Sequence, residues 1–363
     1  MELKRVAVTG LGGITPLGNN WQDTWKAMLN GESGAAEITR FDATHYKTRF
    51  ACEVKDYDPL NYFDRKEARK NDFFVHYALI ASDEAIKDSG LDLDKIDKDR
   101  VGVIWASGVG GLFSFQEEVY KHAKNDRKPR FTPFFITRLI IDLAAGHISI
   151  KHGFRGPNYA TVSACASSTN ALIDAFNAVR YGKANIIVTG GSEAAVTESG
   201  MGGFSSMRAL SERNDDPRSA SRPFCKDRDG FVLGEGGVAL ILEEMEHAKA
   251  RGATIYAEMV GGGMAADAYH MTATHPEGLG AILGMKAALD DANLSPNDVD
   301  YINAHATSTP VGDISEVKAI EKMFTETADK LHVSATKSMT GHLLGAAGAI
   351  EAMATILAVK NDV

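Results

Sequence analysis

Short apolar runs along the chain alternate with longer stretches in which apolar residues return every three or four positions. The short runs predict strands at Lys4–Thr9, Val101–Ala106, Asn158–Val162, Asn185–Thr189 and Val238–Leu242, with a second set at Ile255–Gly261, Val299–Asn303 and His332–Ser334. The periodic stretches predict helices at Asn20–Leu29, Asp72–Ser89, Thr137–Ile150, Ser167–Tyr181, Gly278–Ala292, Ile314–Phe324 and Ala346–Val359. Strand and helix alternating in this way predict an α/β fold. Arg208–Gly236 breaks the pattern: it is rich in Arg, Asp, Ser and Pro and reads as one long irregular connection. Such a connection inside a compact protein is functional or ordered by a partner. A break near Arg251–Thr254 divides the chain into two α/β halves, 1–252 and 253–363.

Composition adds exclusions. A chain of 363 residues that is 44% hydrophobic and 24% charged has the balance of a folded, two-domain protein rather than a disordered one. A net charge of −9 weighs against general nucleic-acid binding, although a local basic patch is compatible with it. No signal-peptide core follows MELKRVAVTG. The stretch Leu343–Val359 is broken by glycine, carries Glu351 and is too short for a bilayer span, so it is expected as a buried helix. Cys52, Cys165 and Cys225 lack metal-ligand spacing, which predicts a reduced, cytoplasmic protein away from the membrane.

Chemistry concentrates in three places. Cys165 lies in NYATVSACASSTNALIDAFNAVRYG, a strand, a turn of small residues and an amphipathic helix. Unpaired N–H groups and the positive end of the helix dipole converge on such a turn, and both are expected to lower the thiol pKa. Ala164, Ala166, Ser167 and Ser168 leave room for a thioester, and the Cys165 N–H is placed to meet a developing oxyanion. By itself such a cysteine is more often a small packing residue. Cys52 and Cys225 lack this setting and are read as structural. His305 follows a strand in YINAHATSTPVGD, and Lys337 and His342 share the turn in SATKSMTGHLLGAAGAIEAM. Singly, each histidine is more often structural. Together they lie in small, polar stretches just after strands, where α/β folds gather functional loops. Neutral imidazoles donate hydrogen bonds to a thioester oxygen without adding charge. A buried Lys337 needs a partner, and Glu351 is the only charged residue between His342 and Val359.

These motifs resemble the β-ketoacyl-acyl-carrier-protein synthases, most closely the elongating type II enzymes. The matching stretches are VAVTGLGGITPLGN, SGVGG, SACASS, GGSEA, SRPFCKDRDGFVLGEG, DAYHMTATHP, NAHATSTPVGD and TKSMTGHLLGAAGAIEA, spread over the whole chain. The resemblance implies a thiolase-like fold of two related halves in five alternating layers, and a homodimer. It implies a Cys165–His305–His342 triad, with Lys337 supporting it and Glu351 pairing the lysine. Thr307 and Thr309 match positions that bond the pantetheine arm. The implied reaction is decarboxylative condensation of malonyl-acyl-carrier protein with an acyl group on Cys165. It uses no metal or redox cofactor, since phosphopantetheine arrives on the carrier.

An acidic carrier calls for a basic patch. In DRKEARKND, Lys66, Arg69 and Lys70 share one helical face. Arg130 and Arg208 join them by resemblance, and Val109 and Phe135 resemble acyl-pocket walls. The chain departs from the family pattern at Ala306, where glycine is usual, and in the Ala-Ser-Ser after the nucleophile. The resemblance also predicts a C-terminal truncation that removes strands of the second half and a Gly-Phe-Gly-Gly oxyanion loop, leaving the chain poorly active. Competing readings are a polyketide ketosynthase, a non-catalytic partner like the chain-length factors, and a thiolase or initiating synthase. The presence of Cys165 with two histidines favours the elongating enzyme.

Overall fold

The computed structural model describes residues 3–363. It opens with β1 (Val6–Ile14), α1 (Trp21–Leu29), a small ribbon of β2 (Ala36–Glu37) and β3 (Phe50–Ala51), α2 (Arg65–Lys70) and α3 (Phe73–Asp88). Then come β4 (Val101–Ala106), α4 (Leu112–Lys124), α5 (Phe135–Leu139), α6 (Leu143–His152) and β5 (Asn158–Thr161). These lead into α7 (Ser167–Arg180), β6 (Ile186–Glu193), α8 (Glu198–Ser206), β7 (Gly236–Glu244) and α9 (Met245–Ala250). The remainder is β8 (Ala257–Met259), α10 (Leu279–Ala292), β9 (Tyr301–Asn303), α11 (Gly312–Met323), β10 (His332–Ser334), α12 (Lys337–Thr340) and α13 (Ala347–Asn361).

Six strands form one sheet in the order β5–β4–β6–β7–β1–β8. Alternation along β4 divides its side chains between two cores. Val101, Val103 and Trp105 join Phe74, Tyr77 and Ile148 from α3 and α6. Ile104 and Ala106 join Leu172 and Phe176 of α7 and Ile350 and Met353 of α13. Covering both faces explains why these strands read as continuous apolar runs. Each fully buried large aliphatic side chain contributes about 1.5–3 kcal/mol. Helix α3 lies directly on β1 because Gly12 has no side chain: a Cβ there would sit 2.1 Å from the Ala81 carbonyl oxygen. Among the described residues, no helix is long and apolar enough to cross a membrane.

Three expectations need correction. The helix predicted over Thr137–Ile150 is two helices, because Ile140 turns to an extended conformation at ψ 129°. The break lets α5 dock on the glycine loop after β4, where the Gly111 N–H donates to the Leu139 carbonyl at 3.2 Å. An unbroken apolar run conceals such a break. Helices α4, α8 and α9 were not expected, since they lie beside glycine-rich or strand-like runs. The second set of strands also divides. Strand β8 pairs antiparallel with β1 at the edge of the large sheet, and only β9 and β10 pair with each other, in parallel.

Candidate active site

Cys165 occupies the turn between β5 and α7. Ala164 takes a left-handed conformation, φ 51°, so the chain reverses just before the thiol. Ser167 fixes this reversal. Its Oγ accepts from the Ser163 N–H at 2.9 Å and donates to the Ala164 carbonyl at 2.6 Å.

His342 meets the thiol from the second half, with Nε2 3.0 Å from Cys165 Sγ. The Leu344 N–H donates to His342 Nδ1 at 3.2 Å. Nδ1 is therefore the acceptor, and Nε2 carries the proton that faces sulfur. His305 stands edge-on to His342, with ring centroids 5.3 Å apart and planes at 84°. Side-chain atoms of Cys165, His305 and His342 come within 4.8 Å of one another. A thiolate and two imidazoles are a soft-metal donor set. In this tautomer, however, His342 presents a proton rather than a lone pair to the centre of the cluster. Lys337, 2% exposed, forms an ion pair with Glu351, as the sequence pairing implied.

Burial, aided by the Lys337 charge, pushes His342 well below the ordinary imidazole range. The same two causes push His305 down. His305 is the exposed residue of the three. Both rings are neutral at neutral pH. The expected lowering of the Cys165 pKa is overturned. Desolvation raises it, Glu193 adds to the rise, and the Lys337 charge opposes it without prevailing. The resting group is a thiol. Because His342 Nε2 already carries a proton, it donates to sulfur instead of taking the thiol proton.

Two carboxylates escaped the sequence reading. Glu316 accepts the N–H groups of His305 and Ala306, each at 2.6 Å, and so holds the His305 loop. Glu193 is fully buried. It accepts from Ser107 Oγ at 2.8 Å and from the N–H groups of Gly108, Val109 and Gly345 at 2.7, 3.2 and 3.0 Å. It joins the loop after β4 to the loop after His342. An acid in the small-residue run GGSEA was the available signal. The irregular connection before β7 also serves the site. The His342 N–H donates to the Val232 carbonyl at 2.7 Å, Ser221 Oγ donates to the Lys337 carbonyl at 2.7 Å, and Arg228 Nε donates to the Thr309 carbonyl at 2.9 Å.

The remaining predicted residues are placed less closely. Thr307 and Thr309 hydroxyls are 3.1 Å apart, and Thr307 lines a cavity of about 130 Å³ with His305 and Glu316. The Val109 N–H is held by Glu193, but its side chain is part-exposed. Phe135 stacks on Phe131, ring centroids 5.1 Å apart. Among the described residues, neither Val109 nor Phe135 stacks on or hydrogen-bonds the Cys165–His342 pair. Lys66 and Arg69 are exposed on α2, Lys70 is half-buried, and Arg130 and Arg208 are exposed on separate loops.

Residues 3–248 match the family domain described as beta-ketoacyl synthase, N-terminal domain, and residues 256–363 match the C-terminal domain. The 3-oxoacyl-[acyl-carrier-protein] synthase 2 of Synechocystis is 50% identical over all of this chain and 87% of its own length. That of Coxiella burnetii is 48% identical, again over 100% of this chain and 87% of its own length. A beta-ketoacyl synthase from Burkholderia phymatum superposes with a TM-score of 0.90 at 35% identity, over 99% of this chain and 86% of its own. A type II polyketide ketosynthase solved with its acyl-carrier protein also gives 0.90, at 33% identity, over 99% of this chain and 87% of that one. The matches run along the full chain and reach 86–87% of the relatives' own lengths. With both domains matched, the thiolase-like ketosynthase fold shared and the curated likeness near one half, the chain belongs to the β-ketoacyl synthase family.

Proposed function

We propose that this chain is an elongating 3-oxoacyl-acyl-carrier-protein synthase of fatty-acid synthesis. The observation that carries the reading is the convergence of Cys165, His305 and His342 within 4.8 Å, with a neutral imidazole N–H aimed at sulfur. Cys165 gives up its proton as it attacks an acyl thioester, the carrier sulfur leaves with the bonding pair and takes up a proton as the carrier thiol, and an acyl-enzyme remains. Malonyl-carrier protein then enters. His305 and His342 hydrogen-bond its thioester oxygen as the carbon–carboxylate bond breaks and CO2 departs. The enolate carbon attacks the acyl-Cys165 carbonyl, a carbon–carbon bond forms, and Cys165 sulfur leaves. The product is a 3-oxoacyl chain two carbons longer. The Lys337–Glu351 pair supports the neutral histidines, and Thr307 and Thr309 receive the pantetheine arm.

No metal or redox cofactor enters these steps. The carrier docks on Lys66, Arg69 and Lys70, with Arg130 and Arg208, and Val109 and Phe135 border the acyl chain. The enzyme acts as a cytoplasmic homodimer. Support for the carrier comes from the names of the curated relatives and from the ketosynthase solved with its carrier. The higher identity to fatty-acid synthases favours them over the polyketide enzymes. Mass spectrometry after incubation with acyl-carrier protein tests the reading. Acylation at Cys165, then malonyl-dependent release of a chain two carbons longer, is expected. Absence of acylation, with the wild-type fold intact, would count against it.

A further inference from the structure

The turn that leaves His342 has a strained backbone. Leu344 takes a left-handed conformation, φ 47°, although it is neither glycine nor a small polar residue. A bulky side chain persists there only where its surroundings over-determine it. Leu344 is buried and belongs to one apolar cluster with Met201, Phe231 and Leu233. Gly345 follows at once, and its N–H donates to Glu193 Oε2 at 3.0 Å. A Cβ at Gly345 would sit 2.1 Å from the Gly108 nitrogen, so two glycine loops touch backbone to backbone beside this carboxylate.

The strained turn has a local product. The Leu344 N–H points back at its neighbour and donates to His342 Nδ1 at 3.2 Å. Packing alone does not decide which ring nitrogen carries the proton. Phe231 and His305 stand edge-on to the His342 ring, each with its centroid 5.3 Å away, and fix its plane. A neutral imidazole held only in this way could carry its proton on either nitrogen. The Leu344 N–H removes the choice, because a proton on Nδ1 would face another donor.

Glu193 is placed to hold that turn. Its Oε1 accepts from Ser107 Oγ and the Val109 N–H, and its Oε2 from the Gly108 and Gly345 N–H groups. Ser107 Oγ accepts from the Gly110 N–H at 3.1 Å, which leaves its own proton for Glu193. All four partners donate, so an acid proton on Glu193 would find no acceptor among them. The ionised form is the one that fits. Burial raises the pKa of this carboxyl, and the four donors oppose the rise. Its desolvation is thus offset by bonds to two loops rather than by a counter-charge.

We propose that Glu193 is a positioning residue for the condensation: through the Gly345 N–H it holds Leu344 in the left-handed conformation, and so fixes the His342 proton on Nε2, facing Cys165. The inference rests on the roles proposed above for Cys165 and His342. Two variants separate reach from charge. Glu193→Asp keeps the charge but is one methylene short, so it cannot hold Gly345 and the Ser107–Val109 loop together. Glu193→Gln keeps the reach. With its oxygen towards Gly108 and Gly345, its amide can donate to Ser107 Oγ, and only the Val109 N–H then faces a donor.

The first readout is nitrogen NMR of the full chain isotopically labelled at histidine, with His342→Asn to assign the ring. Wild type and Glu193→Gln should show one tautomer, with Nδ1 as the acceptor, and Glu193→Asp a mixture. The second is steady-state condensation. In Glu193→Asp, kcat should fall about 100-fold with KM for malonyl-carrier protein unchanged. In Glu193→Gln the fall should be less than about tenfold. Variants are compared where their melting curves match the wild type. If Glu193→Asp does not fold, Glu193→Gln decides: one tautomer supports the proposal and a mixture overturns it. A mixture in the wild type, a single tautomer in folded Glu193→Asp, a loss carried by KM, or a lower kcat in Glu193→Gln than in Glu193→Asp would also overturn it. The nitrogen signature does not depend on turnover. A wild type that fails to condense strikes the functional reading, whereas an unchanged signature in Glu193→Asp beside an active wild type strikes this inference alone.

Discussion

In the first half of the molecule, β4 and β6 are buried along their whole length, and β7 nearly so. In the second, β9 is half-buried, β10 is exposed and α10 buries no residue. The loops that carry chemistry reverse this contrast. Ala304, Ala306, Ser308, Lys337 and His342 are each at most 2% exposed. The second half therefore holds its active loops by docking them on the first half, not by a deep core of its own. The Val232 and Leu233 backbone brackets His342, Glu193 grips Gly345, and α13 completes the core over α7.

Four measurements break or sharpen that contrast. The largest effect is expected at the junction. Lys337→Met leaves Glu351 buried and unpaired and should cost about 3–5 kcal/mol in urea unfolding. The double change Lys337→Met with Glu351→Leu should recover most of that stability but not turnover. Full recovery of turnover would remove the pair from the mechanism. Next, Leu240→Ala, in the first-half core, should cost about 2–5 kcal/mol. Leu283→Ala, on exposed α10, should cost about 0.5 kcal/mol or less. Comparable losses at Leu240 and Leu283 would erase the distinction between the halves. The smallest effect concerns the thiol. With its pKa raised by burial, Cys165 should react with iodoacetamide at a rate that climbs from about pH 7 past about pH 9, without a plateau near neutrality. Lys337→Met should move that climb to higher pH, because the lysine charge favours thiolate. A plateau near neutral pH would show that the helix end outweighs burial.

Much of this was legible in the sequence. The apolar run of β4 marks its limits to the residue, because strand burial and β-branched side chains reinforce each other there. Glu351 could be assigned to Lys337 because no other charge lies between His342 and Val359. Glu193 and Glu316 were missed for the opposite reason. Apart from the Ser107 hydroxyl, their partners are backbone N–H groups, which leave no trace of the pairing in the sequence, and those of Glu193 come from segments far apart in the chain. The Cys165 pKa was misread because a helix start can be seen in a sequence, while the depth of burial that opposes it cannot. The divided second strand set was missed because a three-residue strand such as β8 gives no sign of which sheet it will join.

Glu193 also constrains how such an enzyme can be re-engineered. Its carboxylate ties Ser107, Gly108 and Val109 to the loop after His342, so the proposed acyl border and the proposed catalytic loop share one tether. Libraries that randomise residues 107–109 alone should trade chain-length preference against rate. Variants that shift preference at constant rate should emerge only when Gly345 and its neighbours are varied in the same clone.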